Sequence, residues 1–336
     1  MGGTILIVGD GAMSTLCAQL LADKGHALRL WSAFPDNAAA LDATRENRRY
    51  LPGVRLPESL EITADPAGAF AGVLLAISAV PTQFIRHWWR RLKPHCPEAL
   101  PICSAAKGIE NDSLLRPTQI LADVLAGAPD APWPLAAISG PSIAREVAEG
   151  KPATVVAASA DAALAERIQA LFTTPAFRVY TNDDLPGVEV AGATKNVIAI
   201  AAGILDGLRA GDNAKAALLA RGLVEITRLG VAMGGQPETF FGLAGLGDLV
   251  TTCISPHGRN RSLGEAIGRG QALADALAAT NSVVEGVATA RSVLALARRQ
   301  DVEMPITAAV HAVLADQQQP IDAIAQLMSR PPKAEH

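Results

Sequence analysis

Residues 4–14 read TILIVGDGAMS: an apolar, β-branched run from Thr4 to Val8, then Gly9-Asp10-Gly11-Ala12-Met13-Ser14. A helical pattern follows, with Met13, Leu16, Cys17, Leu20 and Leu21 on one face. A strand, a G-x-G loop and a helix, in that order near the start of a chain, form the opening unit of a dinucleotide-binding fold. Gly9 allows the tight turn, and Gly11 lets the backbone approach a diphosphate. Beginning at Ala12 and Met13, the helix N-terminus offers that anion free N–H groups and a partial positive charge. The third position of the fingerprint carries Ser14 in place of glycine, and Asp10 sets a carboxylate near the anion. The expected cofactor is NAD(H) or NADP(H).

Outward from this unit, strand and helix signals alternate. Further strands are expected at Ala27–Trp31, Leu60–Thr63, Gly72–Ile77, Leu100–Cys103, Leu135–Ile138, Thr154–Ala158 and Phe177–Tyr180. Gly25 closes the first helix, and Pro35 opens another that is expected to run to Arg49. From Val188 onward the pattern is helix after helix, with no strand-like stretch beyond Tyr180. The spacing predicts helices over 188–208, 213–233, 259–268, 271–279, 287–299 and 306–315. The expected fold is therefore α/β: a Rossmann-like, doubly wound, mostly parallel sheet over residues 1–184, then an all-α domain over 185–330.

Composition narrows the function classes. Of 336 residues, 49% are hydrophobic and 18% charged, which excludes a disordered chain. The net charge is -4 and no basic stripe appears, so a nucleic-acid partner is not expected. The longest nearly apolar run, Gly68 to Val80, is short of the roughly 20 residues a membrane span needs. The N-terminus has no basic stretch before its apolar run, which leads to an expected cytoplasmic location. Gly2 would suit myristoylation, but Leu6 stands where that signal wants Ser or Thr. The polar tail from Pro331 is expected to fray. Cys17, Cys96, Cys103 and Cys253 form no C-x-x-C pair and read as free thiols of a reducing compartment. His95, Cys96 and Cys103 fit no zinc spacing, so no metal is expected.

The choice between NAD and NADP stays open. The residue that reads the adenosine ribose is expected at the end of the second strand, acidic for NAD and basic surroundings for NADP. Here the segment is Trp31-Ser32-Ala33-Phe34-Pro35-Asp36, with no charge at its tip.

Five further segments stand out: Ala105-Ala106-Lys107-Gly108, Ile138-Ser139-Gly140-Pro141-Ser142, Lys195-Asn196-Val197-Ile198-Ala199-Ile200, Gly245 to Cys253 with Arg259-Asn260-Arg261 after it, and Val284-Glu285-Gly286. Together with the Gly9 loop, and in this order, they resemble the bacterial NAD(P)-dependent glycerol-3-phosphate dehydrogenase family over almost the whole chain. The resemblance implies reversible reduction of dihydroxyacetone phosphate to sn-glycerol 3-phosphate, feeding glycerophospholipid synthesis, at a site between a Rossmann domain and a helical one. By the same resemblance, Lys195 is the general acid/base, Asp248 its acidic partner and Lys107 a second lysine near the substrate oxygen and the nicotinamide. Gly140, Ser142, Asn196, Thr252, Gly258, Arg259 and Asn260 join these three in holding the substrate, with Arg259 and Asn260 gripping its phosphate. Gly9, Gly11, Ala12, Met13, Ala33, Lys107, Ala144, Arg259, Val283 and Glu285 match cofactor-binding positions. Gly245 and Gly247 are expected to let the backbone turn sharply around Asp248.

These roles suit the residue types. Hydride delivery to a ketone builds negative charge on its oxygen, and a lysine both stabilises that charge and supplies a proton. A guanidinium grips a phosphate through paired charge-assisted bonds. The departures cluster at the cofactor end: Asp10 replaces Ala, Met13 an aromatic residue, Ser14 a Gly and Ala33 a basic residue, while Ala106 replaces a Thr beside Lys107. Two other functions compete. A reductase of another small ketone, such as ketopantoate or an opine precursor, would not need Arg259 and Asn260 placed for a phosphate. A nucleotide-binding sensor without turnover would not need Lys195, Asp248 and Lys107. The apolar helical domain also makes a homodimer an expectation.

Overall fold

The computed structural model describes residues 3–22, 24–280, 282–332 and 334. Gly2 and the end of the polar tail lie outside the described residues. Eight strands form one sheet: β1 (Thr4–Val8), β2 (Ala27–Trp31), β3 (Leu60–Thr63), β4 (Val73–Ser78), β5 (Ile102–Ser104), β6 (Leu135–Ser139), β7 (Ala153–Ala158) and β8 (Phe177–Asn182). Their order is β3-β2-β1-β4-β5-β6-β7-β8. Every neighbouring pair is parallel except β6 and β7.

The sheet is buried on both faces, which is why its central strands read as apolar runs rather than alternating ones. In β1, Ile5 and Ile7 join a core with Leu16 and Leu21 of the first helix. Leu6 and Val8 join a second core on the opposite face with Trp89 and Ile120. The strand order reverses at β1, which lies between β2 and β4 although β4 follows it only after two intervening strands. In such sheets the ligand crevice opens at the carboxyl ends of the strands at this switch point. Gly9 ends β1 there with φ 114°, and a Cβ on it would stand 3.0 Å from the Ala79 carbonyl oxygen that follows β4.

The helix expected to reach Arg49 stops at Thr44. Arg45 takes a left-handed conformation at φ 51°, which ends the helical path. Asn47 is then buried and turned back toward the glycine loop.

After β8 the described residues contain no further strand. Asp184 starts the helical part: one carboxylate oxygen accepts from Gly187 N at 2.8 Å and the other from Gln236 N at 2.8 Å. The helix it opens, Leu185–Gly207, is long and apolar enough to cross a membrane, yet its stretch from Gly187 to Ile204 is buried inside the protein. Helices Asp212–Ala232, Asp248–Ile254, Arg259–Gly268, Glu285–Arg299 and Pro305–Ala315 pack around it. Sequence spacing missed a helix at Pro320–Met328, a short one at Pro237–Phe241 and the wide π turn Leu243–Gly247.

The closest packing joins Leu185–Gly207 to Arg259–Gly268. A Cβ on Gly203 would run into the Arg261 carbonyl, and one on Gly264 into the Ile200 carbonyl. Gly207 and Gly268 meet each other's helix in the same way. Two carboxylates tie the helical part to the sheet. Glu189 accepts from Thr118 N and Oγ1, at 2.8 and 2.6 Å, and pairs with Arg116. Glu285 accepts from Thr82 N and Oγ1, at 2.9 and 3.1 Å. Gly264→Ala is expected to force the two helices apart and to cost about 1–3 kcal/mol, read as a lower urea midpoint.

Candidate active site

Lys195 lies half-way along helix Leu185–Gly207, in its buried stretch, and is 6% exposed. A bare ammonium cannot stay charged in such a place without an anion. Asp248 supplies it: Lys195 Nζ donates to Asp248 Oδ1 at 2.6 Å and to Thr252 Oγ1 at 2.6 Å. The second oxygen, Oδ2, accepts from Lys107 Nζ at 2.8 Å. One buried carboxylate thus joins two lysines, one from the loop after β5 and one from the helical core. Lys107 Nζ also donates to the Gly140 carbonyl at 2.9 Å, as does Ser142 Oγ at 3.1 Å.

The electrostatics follow from burial. Desolvation pushes Lys195 down from the usual lysine range to about 8, with Lys107 adding to the effect and Asp248 opposing it. Burial raises Asp248, but the two ammonium groups outweigh it and hold its carboxyl below the usual range. Near neutral pH the arrangement is a proton donor of intermediate strength beside a fixed second cation.

A chain of amides fixes the loop that carries Lys107. Asn196 Nδ2 donates to the Lys107 carbonyl at 2.8 Å, and Asn260 Nδ2 donates to Asn196 Oδ1 at 2.9 Å. Gly286 N closes the chain by donating to Asn260 Oδ1 at 3.0 Å. The glycine contacts between the two helices bring Asn196 and Asn260 within this reach. Arg259, one residue before, projects outward, and its only side-chain hydrogen bond within the described residues is to the Val283 carbonyl at 3.1 Å. Val283 itself is exposed. Gly258 begins that helix against the Thr252 carbonyl.

Gly245 and Gly247 do not make the sharp turn expected of them. They lie in the π turn that runs straight into the helix headed by Asp248, and Gly247 has φ -60°. A Cβ on Gly245 would strike the backbone of Phe240, so its small size permits a close approach. The extra residue in the π turn is the kind of irregularity that re-aims a side chain at a functional site.

The nucleotide end fits a dinucleotide. Gly11 precedes the first helix with no side-chain cap on it, and a Cβ there would meet open space. Ala12 and Met13 follow, so the first-turn N–H groups are free for a diphosphate. Ser14 is fully buried at the helix–strand contact, and its hydroxyl has no partner. A small, mostly apolar cavity between the first helix and the sheet has Met13, Ala105, Lys107, Ser139 and Ser142 among its lining residues. Ala33 is half-buried at the tip of β2, and Ala144 opens the short helix Ala144–Ala148. These two and Val283 do not touch the Lys195–Asp248–Lys107 cluster. Sequence reasoning missed Thr82, which holds Glu285, and Asn47, which braces the glycine loop. No spacing rule marks either one, because each acts on a residue far away in the chain. Among the described residues no three His, Cys, Asp or Glu side chains are grouped to hold a metal ion.

The family model for the NAD-dependent glycerol-3-phosphate dehydrogenase N-terminus matches residues 4–165, and that for its C-terminus matches residues 184–325. The chain belongs to this family. It is 47% identical to a glycerol-3-phosphate dehydrogenase [NAD(P)+] of Chlorobium luteolum over 331 residues, 98% of this chain and 99% of that one. It is also 47% identical to one of Geobacter sp. strain M21 over 335 residues, 100% of this chain and 99% of that one. The crystal structure of glycerol-3-phosphate dehydrogenase from Coxiella burnetii superposes with a TM-score of 0.93 at 39% identity, covering 98% of this chain and 99% of that one.

Asp248→Asn leaves two lysines facing each other without an anion. Breaking such a buried pair is expected to destabilise the fold by about 3–5 kcal/mol, measured by urea unfolding at pH 7.

Proposed function

We propose that this chain reduces dihydroxyacetone phosphate to sn-glycerol 3-phosphate, reversibly and with NAD(P)H, and that Lys195 is its proton donor. The observation that carries the reading is the single Asp248 carboxylate held between Lys195 and Lys107, with an outward-facing Arg259 eleven residues further along the chain. A ketone bearing a phosphate needs both parts: cations at its oxygen and a guanidinium at its far end.

When bound, the reduced nicotinamide supplies the hydride to the ketone carbon. Negative charge then grows on the ketone oxygen. Lys107 faces that oxygen as a fixed cation, and Lys195 donates its proton to it, giving the alcohol. Asp248 keeps the resulting neutral amine aimed at the oxygen and favours its recharging from water. Thr252 accepts from Lys195 and fixes the third direction of the ammonium group. Gly140 and Ser142 line the approach beside Lys107. Asn196 and Asn260 hold the lysine loop and the phosphate end in register. Arg259, preceded by Gly258, takes the phosphate, where paired bonds outperform a lysine's single one. Glu285, through Thr82, and Val283, through Arg259, border the cofactor, with Ala33 and Ala144 at its outer edge.

The chain divides at 184/185, a division supported by the end of β8 at Asn182 and the start of the long helix at Leu185. A cytoplasmic place and a role in glycerophospholipid synthesis fit the four free cysteines and the product's chemistry. Exposed Val231, Phe241 and Ile254 on the helical part support a homodimer.

The test is absorbance at 340 nm with dihydroxyacetone phosphate and each reduced nicotinamide. Oxidation of either carries the reading. A phosphate-free ketone reduced faster would favour the rival reductase, and tight binding without oxidation would favour the sensor. Lys195→Ala is expected to lower kcat by about 10²–10⁴-fold while the protein still binds dinucleotide. Arg259→Lys is expected to raise the KM for the phosphorylated ketone about tenfold or more, with little change in kcat.

A further inference from the structure

We propose that Asp10 reads the adenosine ribose in this chain and selects NAD(H) over NADP(H). The proposal deepens the dinucleotide reading above and rests on it.

Asp10 lies between the two glycines of the phosphate loop, where a carboxylate aimed inward would repel the diphosphate. It is not aimed inward. Its Oδ2 accepts from Ser32 Oγ at 2.6 Å and from Asn37 Nδ2 at 2.7 Å. Ser32 is fully buried immediately after β2, and Asn37 lies in the first turn of the following helix. The carboxylate therefore stands at the tip of β2, the place from which the ribose is read in this class of fold. It reaches that place from the neighbouring loop, because β2 itself ends without a charged residue.

The placement is braced rather than incidental. Buried Asn47 donates from Nδ2 to the Asp10 carbonyl at 2.8 Å and to Thr15 Oγ1 at 2.9 Å. This explains why the second helix stops short: the chain after Arg45 must return Asn47 to the glycine loop. Asp10 Oδ1 accepts no hydrogen bond from the described residues. It is the atom left to accept from a ribose hydroxyl.

A 2′-phosphate in that position would face a carboxylate, and the nearby arginines are engaged elsewhere. Arg45 donates to the Leu60 carbonyl and to Asp42, each at 2.7 Å. Arg48 pairs with Glu46 and Arg29 with Glu61. Arg49 lies over the Tyr50 ring. Repulsion without a compensating cation is how a site rejects the wrong partner.

The experiment is equilibrium binding of NADH and NADPH, followed by nicotinamide fluorescence, for wild type, Asp10→Asn and Asp10→Ala. Wild type is expected to bind NADH at least about tenfold more tightly than NADPH. Asp10→Asn keeps the shape and the bonds to Ser32 and Asn37 but removes the charge. It is expected to shrink the ratio to about threefold or less, chiefly by tighter NADPH binding. In wild type alone, displacing bound NADH is expected to need at least about tenfold more NADP⁺ than NAD⁺, a readout independent of how the variants fold. Equal wild-type affinities for the two cofactors, or a ratio unchanged in both variants, would overturn the proposal. Failure of wild type to bind either one would overturn the dinucleotide reading itself, and this proposal with it.

Discussion

Two ammonium groups cannot be buried a few ångströms apart unless an anion lies between them. Asp248 is that anion, and much of the molecule serves to put it there. The sheet brings Lys107 to the end of β5, and the enclosed helix brings Lys195 to the same point. The π turn before Asp248 rotates the carboxylate into the gap, so that each of its oxygens meets one lysine. The surroundings that make the charges costly also weaken the hold of Lys195 on its proton. Burial and reactivity at this site are one effect seen twice.

Registration between the two halves comes from small residues and amides. Glycines on Leu185–Gly207 and Arg259–Gly268 let the backbones nearly touch, which sets Asn260 against Asn196 and Asn196 against the Lys107 loop. Glu189 and Glu285 fasten the helical part to helices that flank the sheet. Their effect is to hold the loop that carries Lys107 against the helix that carries Lys195.

The fold was legible where burial imposes a period. The apolar runs of β1 and β4 report directly on cores that exist in the structure. The lysines and Asp248 were legible through motif resemblance, since their chemistry restricts the residue types at those places. Contacts between distant residues were not legible. Nothing local to Asn47 reveals that it holds a loop more than thirty positions earlier, and nothing in Gly9-Asp10-Gly11 reveals which way the carboxylate turns. The overlong second helix has the same cause: helical propensity continues past Thr44, while a tertiary contact at Asn47 demands the left-handed step at Arg45. At Gly245 and Gly247, composition suggested a tight turn, but the glycines serve the approach of Phe240 and not a reversal.

In the proposed mechanism Lys195 gives up its proton near neutral pH because it is buried, with Asp248 restraining the shift. The most direct measurement is the pH dependence of kcat for ketone reduction from pH 6 to 10. With Lys195 as donor at about 8, the rate should be level at low pH. It should fall by about tenfold per pH unit above that point, while the reverse oxidation rises through the same point. A reduction rate that stays level to pH 10 would contradict the claim, because the proton would then come from a group other than Lys195.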